Sequence, residues 1–180
     1  GHTCHDHKPH GWLTFREVIK HSSNIGTMKA AQKLGKDRLY KYIKKFGVGE
    51  RTGIELPGEV NGVARHPATW SKLSLCSISM GQEVTVTALQ LACAISALAN
   101  GGNLVKPRII QRIQDNSGRI IQRFEAKNRE RVISEETAKE MRDILRGVVD
   151  NGTAGLAEVD GYFPAGKTGT AQKIEPNGTY

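Results

Sequence analysis

Residues 10–35 read HGWLTFREVIKHSSNIGTMKAAQKLG, and they carry the clearest local folding signals in the chain. Thr14 is followed three positions later by Glu17. This spacing is a capping box, in which each side chain accepts a hydrogen bond from the backbone N–H of the other residue. A first helix is therefore expected to begin at Phe15 and to run to about His21.

The first helix is followed by three polar residues, Ser22, Ser23 and Asn24, that cap helices better than they continue them. After them, residues 25–34 have helix-forming composition and end at Gly35, a residue common just past a helix end. The sequence therefore predicts two short helices that meet at a junction of hydroxyl and amide side chains.

Further along the chain, the same reasoning predicts two longer helices and a hairpin. Thr87 and Gln90 form a second capping box, which opens an apolar run, ALQLACAISALAN, expected to be a buried central helix. Ser134 is expected to cap a last helix that stops at Asn151 and Gly152, and the side chains expected on its packed face are Ala138, Met141, Leu145 and Val148. Residues 109–113 and 119–124 flank a turn sequence and predict a β-hairpin.

Residues 164–172 read PAGKTGTAQ and are predicted to form a strand. In a strand, Thr168 and Thr170 would point to one face, and Lys167 and Gly169 to the other. Such a strand presents an ammonium group and hydroxyl groups beside a residue without a side chain, which suits an anionic ligand such as a carboxylate. Taken alone, the pattern is more typical of an ordinary edge strand, and the Ser-x-Asn of residues 22–24 is most often a helix cap.

Ser-x-Asn followed by Lys-Thr-Gly gives two of the three motifs of the penicillin-recognising serine acyl-transferases. With the flanking blocks GVGERTGIELPGE, ISMGQEVTVTALQLACAISALANGG and AGKTGTAQK, the chain resembles the transpeptidase domain of class B penicillin-binding proteins, especially the cell-division type. The resemblance extends from about His10 to Lys173. It implies an α+β fold of the β-lactamase/transpeptidase type, present in part, with mostly the helical subdomain and one or two strands of the antiparallel sheet.

The resemblance also implies catalytic roles for three side chains. Lys167 would supply positive potential and support proton movement. Ser22 would relay a proton to the leaving group, and Asn24 would hold the substrate amide and the lysine beside the nucleophile.

Three residues after Lys167 are implied to bind the substrate or a β-lactam. Thr168 and Thr170 would bind the carboxylate of the terminal D-alanine or of the antibiotic, and Gly169 would leave room for it. The backbone N–H of Thr170 would be one donor of the oxyanion hole.

The family's third motif, Ser-x-x-Lys, does not occur in the 180 residues. The resemblance therefore places the acylated serine upstream of Gly1, so residues 1–180 are expected to be a fragment of one transpeptidase domain that is inactive alone. The parent is expected to be anchored by an N-terminal helix outside the cytoplasmic membrane. Its expected partners are peptidoglycan stem peptides, β-lactams, a glycan polymerase and division proteins, with no metal or cofactor.

Three other interpretations remain open. A serine β-lactamase or a degenerate, non-catalytic relative would carry the same two motifs. A metal site could use Cys4, His5, His7 and His10, which lie within seven residues. Binding of a polyanion could use the basic segment 36–51, since the chain has a net charge of +8. Nucleic acid is not an expected partner, because the aromatic residues of that segment, Tyr42 and Phe46, are predicted to face inward.

Overall fold

The structure, a computed structural model, describes residues 4–170. Within these residues the chain forms six α-helices, which are α1 (Phe15–Lys20), α2 (Asn24–Leu34), α3 (Lys36–Lys45), α4 (Ser74–Ser79), α5 (Ala88–Ala99) and α6 (Glu135–Asn151). Two 3₁₀ turns lie at Pro67–Thr69 and Gly155–Ala157. No helix in the described part of the chain has the length and apolar character needed to cross a membrane.

The strands of the described region are short, and they are β1 (Val63–Ala64), β2 (Val84–Thr85), β3 (Asn103–Val105), β4 (Arg112–Gln114), β5 (Ile120–Arg123) and β6 (Asn128–Arg131). They form three two-stranded sheets, β1 with β2, β3 with β6, and β4 with β5. The last two pairs are antiparallel, and Leu104 lies opposite Glu130 in the β3–β6 pair. A mostly helical α+β fold with small antiparallel sheets is thus confirmed.

The described chain divides into two compact units. Residues 4–40, 65–84 and 140–170 form the first unit, in which α2 contacts α1 and α4. Its core includes Val148, Val149 and Ala154, with Ile19 packed against them. Residues 41–64 and 85–139 form the second unit, in which α5 packs on β3.

The predicted helix starts are confirmed by the capping contacts. The Thr14 hydroxyl accepts a hydrogen bond from the Glu17 backbone N–H at 3.3 Å, and the Glu17 carboxylate accepts one from the Thr14 N–H at 2.7 Å. The second capping box, at Thr87 and Gln90, opens α5 in the same way. The predicted hairpin is present as β4 and β5, and the predicted last helix is present as α6.

Two predictions about burial are wrong. Helix α5 is buried on one face only, where Cys93 and Ala97 pack against Leu104 and Val132 of the second unit's core. Leu91 and Ile95 on α5 are each 53% exposed, because no element of the described residues covers that face. In the basic segment 36–51, Tyr42 and Phe46 are both predicted to face inward. Phe46 packs against the same core, but Tyr42, which lies on α3, is exposed.

Candidate active site

The junction between α1 and α2 turns sharply at Ser22, whose backbone φ is 58°. This left-handed conformation is uncommon for a residue with a side chain. Ser23, which is buried, caps α2 by accepting a hydrogen bond from the Gly26 N–H at 2.9 Å. Because Ser23 serves as the cap, the exposed Ser22 is available for other contacts.

Asp6 holds the junction from a segment that precedes α1. Its carboxylate accepts hydrogen bonds from the Ser23 hydroxyl at 2.7 Å and from the Ile25 N–H at 3.0 Å. Burial alone would raise the pKa of Asp6, but these hydrogen bonds outweigh burial and hold the pKa below its ordinary value. Next to it, the Asn24 side-chain amide donates to the His5 carbonyl oxygen at 3.2 Å. Sequence reasoning did not identify Asp6.

The angle between α1 and α2 is fixed by close packing at Gly26. A Cβ atom on Gly26 would lie 2.5 Å from the Val18 Cγ2 atom and 2.8 Å from its Cγ1 atom, which is closer than atoms in proteins pack. Val18 is the buried residue of α1. The absence of a side chain at Gly26 therefore lets the two helices approach and sets where Ser22 lies.

Lys167 reaches this junction from 145 residues further along the chain. Its Nζ atom donates to the Ser22 hydroxyl at 2.9 Å, and to the Thr168 carbonyl oxygen at 3.0 Å and hydroxyl at 3.3 Å. Partial burial lowers the pKa of the Lys167 ammonium from its ordinary value, because leaving water penalises the charged form. The structure thus brings together Ser22, Lys167 and Thr168, the residues that the motifs had marked as one site.

The segment around Lys167 is held by few contacts. The Gly166 N–H donates to the Leu145 carbonyl oxygen of α6 at 3.2 Å, and the Arg146 guanidinium lies 4.3 Å from the centre of the Phe163 ring. Thr153, just after α6, has its hydroxyl 3.0 Å from the Thr168 hydroxyl.

The strand predicted over 164–172 is not present in its described part, because residues 164–170 pair with no strand there. A strand needs a neighbour that accepts its backbone hydrogen bonds, and the one backbone bond found here goes to a helix carbonyl. Residues 171 and 172 lie outside the described residues.

The end of α6 and the end of α1 touch at Gly152. A Cβ atom on Gly152 would lie 2.7 Å from the Val148 carbonyl oxygen and 2.9 Å from the Lys20 carbonyl oxygen. Both are backbone atoms that side-chain rotation does not move. Gly152 therefore brings the chain just before Ser22 against the chain just before Thr153, which in turn contacts Thr168.

The remaining predicted site residues are Gly169, Thr170 and Asn24. A Cβ atom on Gly169 would meet no other atom within 4 Å, so the role predicted for this glycine stays a prediction. Thr168 and Thr170 are exposed. Asn24 lies at the first turn of α2, and its amide is directed to His5 rather than to Lys167.

The alternative metal site finds no support in the described residues, where no three His, Cys, Asp or Glu side chains are close enough together to hold an ion. His10 instead stacks on His21, with 5.4 Å between ring centres. Cys4 places its thiol 3.5 Å from the Met80 sulfur.

A cavity of about 660 Å³ adjoins the junction and is mainly apolar, with Trp12, Phe15 and Val18 in its lining. Lys167 does not line it. Asp6 and Ser23 of the junction line this cavity, but Ser22 does not, so the contact between Lys167 and Ser22 lies outside it.

Comparisons with known proteins identify the family of the chain. The domain family described as the penicillin binding protein transpeptidase domain matches residues 1–180. The chain belongs to this family, which confirms the resemblance seen in its motifs.

Among its relatives is stage V sporulation protein D of Bacillus subtilis, 39% identical over 173 residues that cover 96% of the chain and 27% of that protein. Penicillin-binding protein PbpB of Mycobacterium tuberculosis is 39% identical over 187 residues, covering 98% of the chain and 27% of that protein. The chain thus spans about a quarter of the length of these relatives.

A crystal structure of penicillin binding protein 3 from Mycobacterium tuberculosis, complexed with aztreonam, matches with a TM-score of 0.89 and 38% identity. The match covers 98% of the chain and 42% of that structure. At this similarity the arrangement of elements described above is that of a transpeptidase domain.

Proposed function

We propose that the chain is part of a peptidoglycan D,D-transpeptidase, which cross-links stem peptides through a serine acyl-enzyme and is acylated by β-lactams. The observation that carries the proposal is the 2.9 Å contact between Lys167 Nζ and Ser22 Oγ, which joins the two motifs in one polar site. Membership of the transpeptidase family supports it, as do the solved complexes of a similar protein with aztreonam and ampicillin.

In this proposal Ser22 and Lys167 move a proton. A hydroxyl group both accepts and donates hydrogen bonds. Ser22 can therefore accept a proton given up by the nucleophilic serine and pass a proton to the leaving amine. Lys167 keeps positive potential beside that hydroxyl and stabilises negative charge that develops on the substrate. The lowered pKa of Lys167 brings its proton release closer to neutral pH.

In the proposal, the residues directly after Lys167 bind the substrate. The hydroxyl groups of Thr168 and Thr170 would donate to the carboxylate of a terminal D-alanine or of a β-lactam, while Gly169 admits the ligand backbone. Thr153 supports this role for Thr168, because its hydroxyl lies within hydrogen-bond distance of the Thr168 hydroxyl.

Asn24 completes the proposed set. Its side-chain nitrogen donates to His5, which sets the orientation of the amide at the start of α2. In the proposal Asn24 contacts the substrate amide and the lysine of the nucleophile motif.

The nucleophile itself is proposed to come from a Ser-x-x-Lys helix outside the 180 residues, so that the chain is one part of a single transpeptidase domain. The intact protein is proposed to be membrane-anchored, to act on the extracytoplasmic face, and to work with a glycan polymerase and division proteins. No metal or cofactor enters the proposed reaction.

The test uses the full-length protein and a fluorescent penicillin. We expect covalent labelling of the wild type, and a rate of labelling lowered by roughly 10²- to 10³-fold in Lys167→Met and in Ser22→Ala. Lys33→Met, which removes one exposed positive charge from α2, is the matched control and should label at the wild-type rate.

The pH dependence of labelling gives a second readout. Because Lys167 acts through its positive charge in this proposal, the labelling rate should fall as the pH rises through its pKa, which lies below the ordinary 10.5, and Lys167→Met should lose that fall. Wild-type labelling by the two variants would refute the assigned roles. Rapid hydrolysis of the penicillin, without a lasting acyl-enzyme, would indicate a β-lactamase instead.

A further inference from the structure

The β4–β5 hairpin is exposed along its whole length. Every residue of Arg112–Gln114 and Ile120–Arg123 is exposed, although the two strands carry three isoleucines. Ile113, Ile120 and Ile121 are 42%, 41% and 63% exposed. Just before β4, Ile109 and Ile110 are 55% and 45% exposed. Five isoleucines between residues 109 and 121 are thus exposed, and exposed apolar surface is a feature of interaction sites.

Two arginines lie directly opposite each other in this hairpin, Arg112 on β4 and Arg123 on β5. Opposed residues of an antiparallel pair place their side chains on the same face about 5 Å apart, and like charges there destabilise the pair. Arg119 pairs with Asp115 at 3.1 Å in the turn. Among the described residues, by contrast, no carboxylate lies within ion-pair distance of Arg112 or Arg123.

The two outer edges of the hairpin are also open to a further strand. Within residues 4–170 its sheet contains β4 and β5 only, so each strand has one edge without a neighbouring strand. A lone two-stranded hairpin is at best marginally stable in water, and an open strand edge is a template for another strand. Addition of an extended peptide to such an edge is a common mode of recognition.

We propose that the β4–β5 hairpin is a docking site for a partner protein, which adds an extended segment of alternating acidic and apolar residues to the sheet. The acidic side chains would lie against Arg112 and Arg123 on one face. The apolar side chains would cover Ile113 on the other face, since successive residues of a strand alternate between faces. This proposal is independent of the transpeptidase activity.

Charge and backbone geometry favour this occupant over two others. A second copy of the hairpin would bring four arginines together, which like-charge repulsion opposes. A membrane surface would attract the arginines, but the open strand edges would remain without hydrogen-bond partners wherever they entered the hydrocarbon region.

The probe is a ten-residue peptide of alternating glutamate and valine, whose binding to the full-length protein is followed by fluorescence anisotropy. We expect saturable binding, weakened by roughly 10-fold or more in the Arg112→Glu/Arg123→Glu variant. Lys33→Glu/Lys36→Glu makes the same change in net charge at exposed positions of α2 and α3, and should bind as the wild type does.

Two further measurements separate strand addition from simple charge attraction. The same peptide with N-methylated backbone amides keeps its charges but loses the donors that pair with a strand edge, so its binding should be lost. Equal binding of the methylated peptide would overturn the proposal, and so would no binding by the unmodified one. Arginine-dependent binding to phosphatidylglycerol vesicles in the absence of peptide binding would identify a membrane site instead.

Discussion

The two halves of the candidate site are fastened in different ways. The Ser22–Asn24 junction is held by neighbours close in sequence, with Ser23 capping α2 and Gly26 packed on Val18. The segment carrying Lys167 has no regular structure and is held by a few contacts to α6 and to Thr153. The junction therefore sets the geometry of the site, while the Lys167 segment depends on long-range contacts for its position.

The largest effect is expected at Gly152, where the two halves meet. A Cβ atom in Gly152→Ala would press against backbone atoms of Val148 and Lys20, so the end of α1 would have to move away from α6. We expect a loss of about 2–3 kcal/mol in the free energy of unfolding, which is typical of overpacking, measured by urea denaturation. The labelling rate with fluorescent penicillin should fall by more than 10-fold, because Ser22 moves relative to Lys167.

Gly147→Ala is the matched control, because Gly147 lies in α6 and a Cβ atom there would meet nothing within 4 Å. This substitution should stabilise the protein by about 0.5–1 kcal/mol through helix propensity and leave labelling unchanged. If Gly152→Ala matched Gly147→Ala in both measurements, the contact at Gly152 would not hold the two halves together.

The difference between the halves also explains what the sequence could predict. The helices that begin at Phe15 and Ala88 each start with a capping box, whose two residues lie three positions apart. Because these residues are so close along the chain, the capping box can be recognised in the sequence. Asp6 was missed because it lies 17 residues before Ser23 in a segment without periodicity. Nothing in its neighbours predicts which helix end it will cap.

The wrong predictions, of a strand at Lys167 and of a fully buried α5, also arise because sequence patterns report only local structure. A strand was predicted at Lys167 from residue composition, but a strand is defined by a neighbour, and nothing local predicts that neighbour. The apolar run of α5 predicted burial on all sides, yet burial of Leu91 and Ile95 depends on what covers them. The convergence of Ser22 and Lys167 was predicted through family resemblance and not from local signals.

A smaller effect is expected at Asp6, and it tests whether the junction is held electrostatically. Asp6→Asn keeps the shape but weakens acceptance from Ser23 and Ile25, so we expect a loss of about 1–2 kcal/mol in the free energy of unfolding at pH 7. The folded-state pKa of Asp6 lies below its ordinary 3.8, so the stabilisation is complete above that value. It should disappear as the pH falls below 3.8 through the folded-state pKa.

The measurement is urea denaturation of wild type and variant at pH 7 and at successively lower pH. Asp143→Asn, an exposed change on α6, is the control and should stay within about 0.5 kcal/mol of wild type at each pH. A difference between wild type and Asp6→Asn that did not shrink in acid would show that the carboxylate charge is not what holds the junction.

The smallest effect on stability is expected at Phe163, which tests the loosely held half. Its ring is 76% exposed and contacts the Arg146 guanidinium, and an exposed contact of this kind contributes about 0.5–1 kcal/mol. Phe163→Ala should therefore change the free energy of unfolding by no more than that amount, while labelling slows several-fold because Lys167 is held less firmly. Tyr162→Ala removes a neighbouring ring that is 74% exposed and should leave labelling unchanged. A loss of stability in Phe163→Ala as large as that in Gly152→Ala would mean that both halves are equally integrated into the core, and the distinction between them would fail.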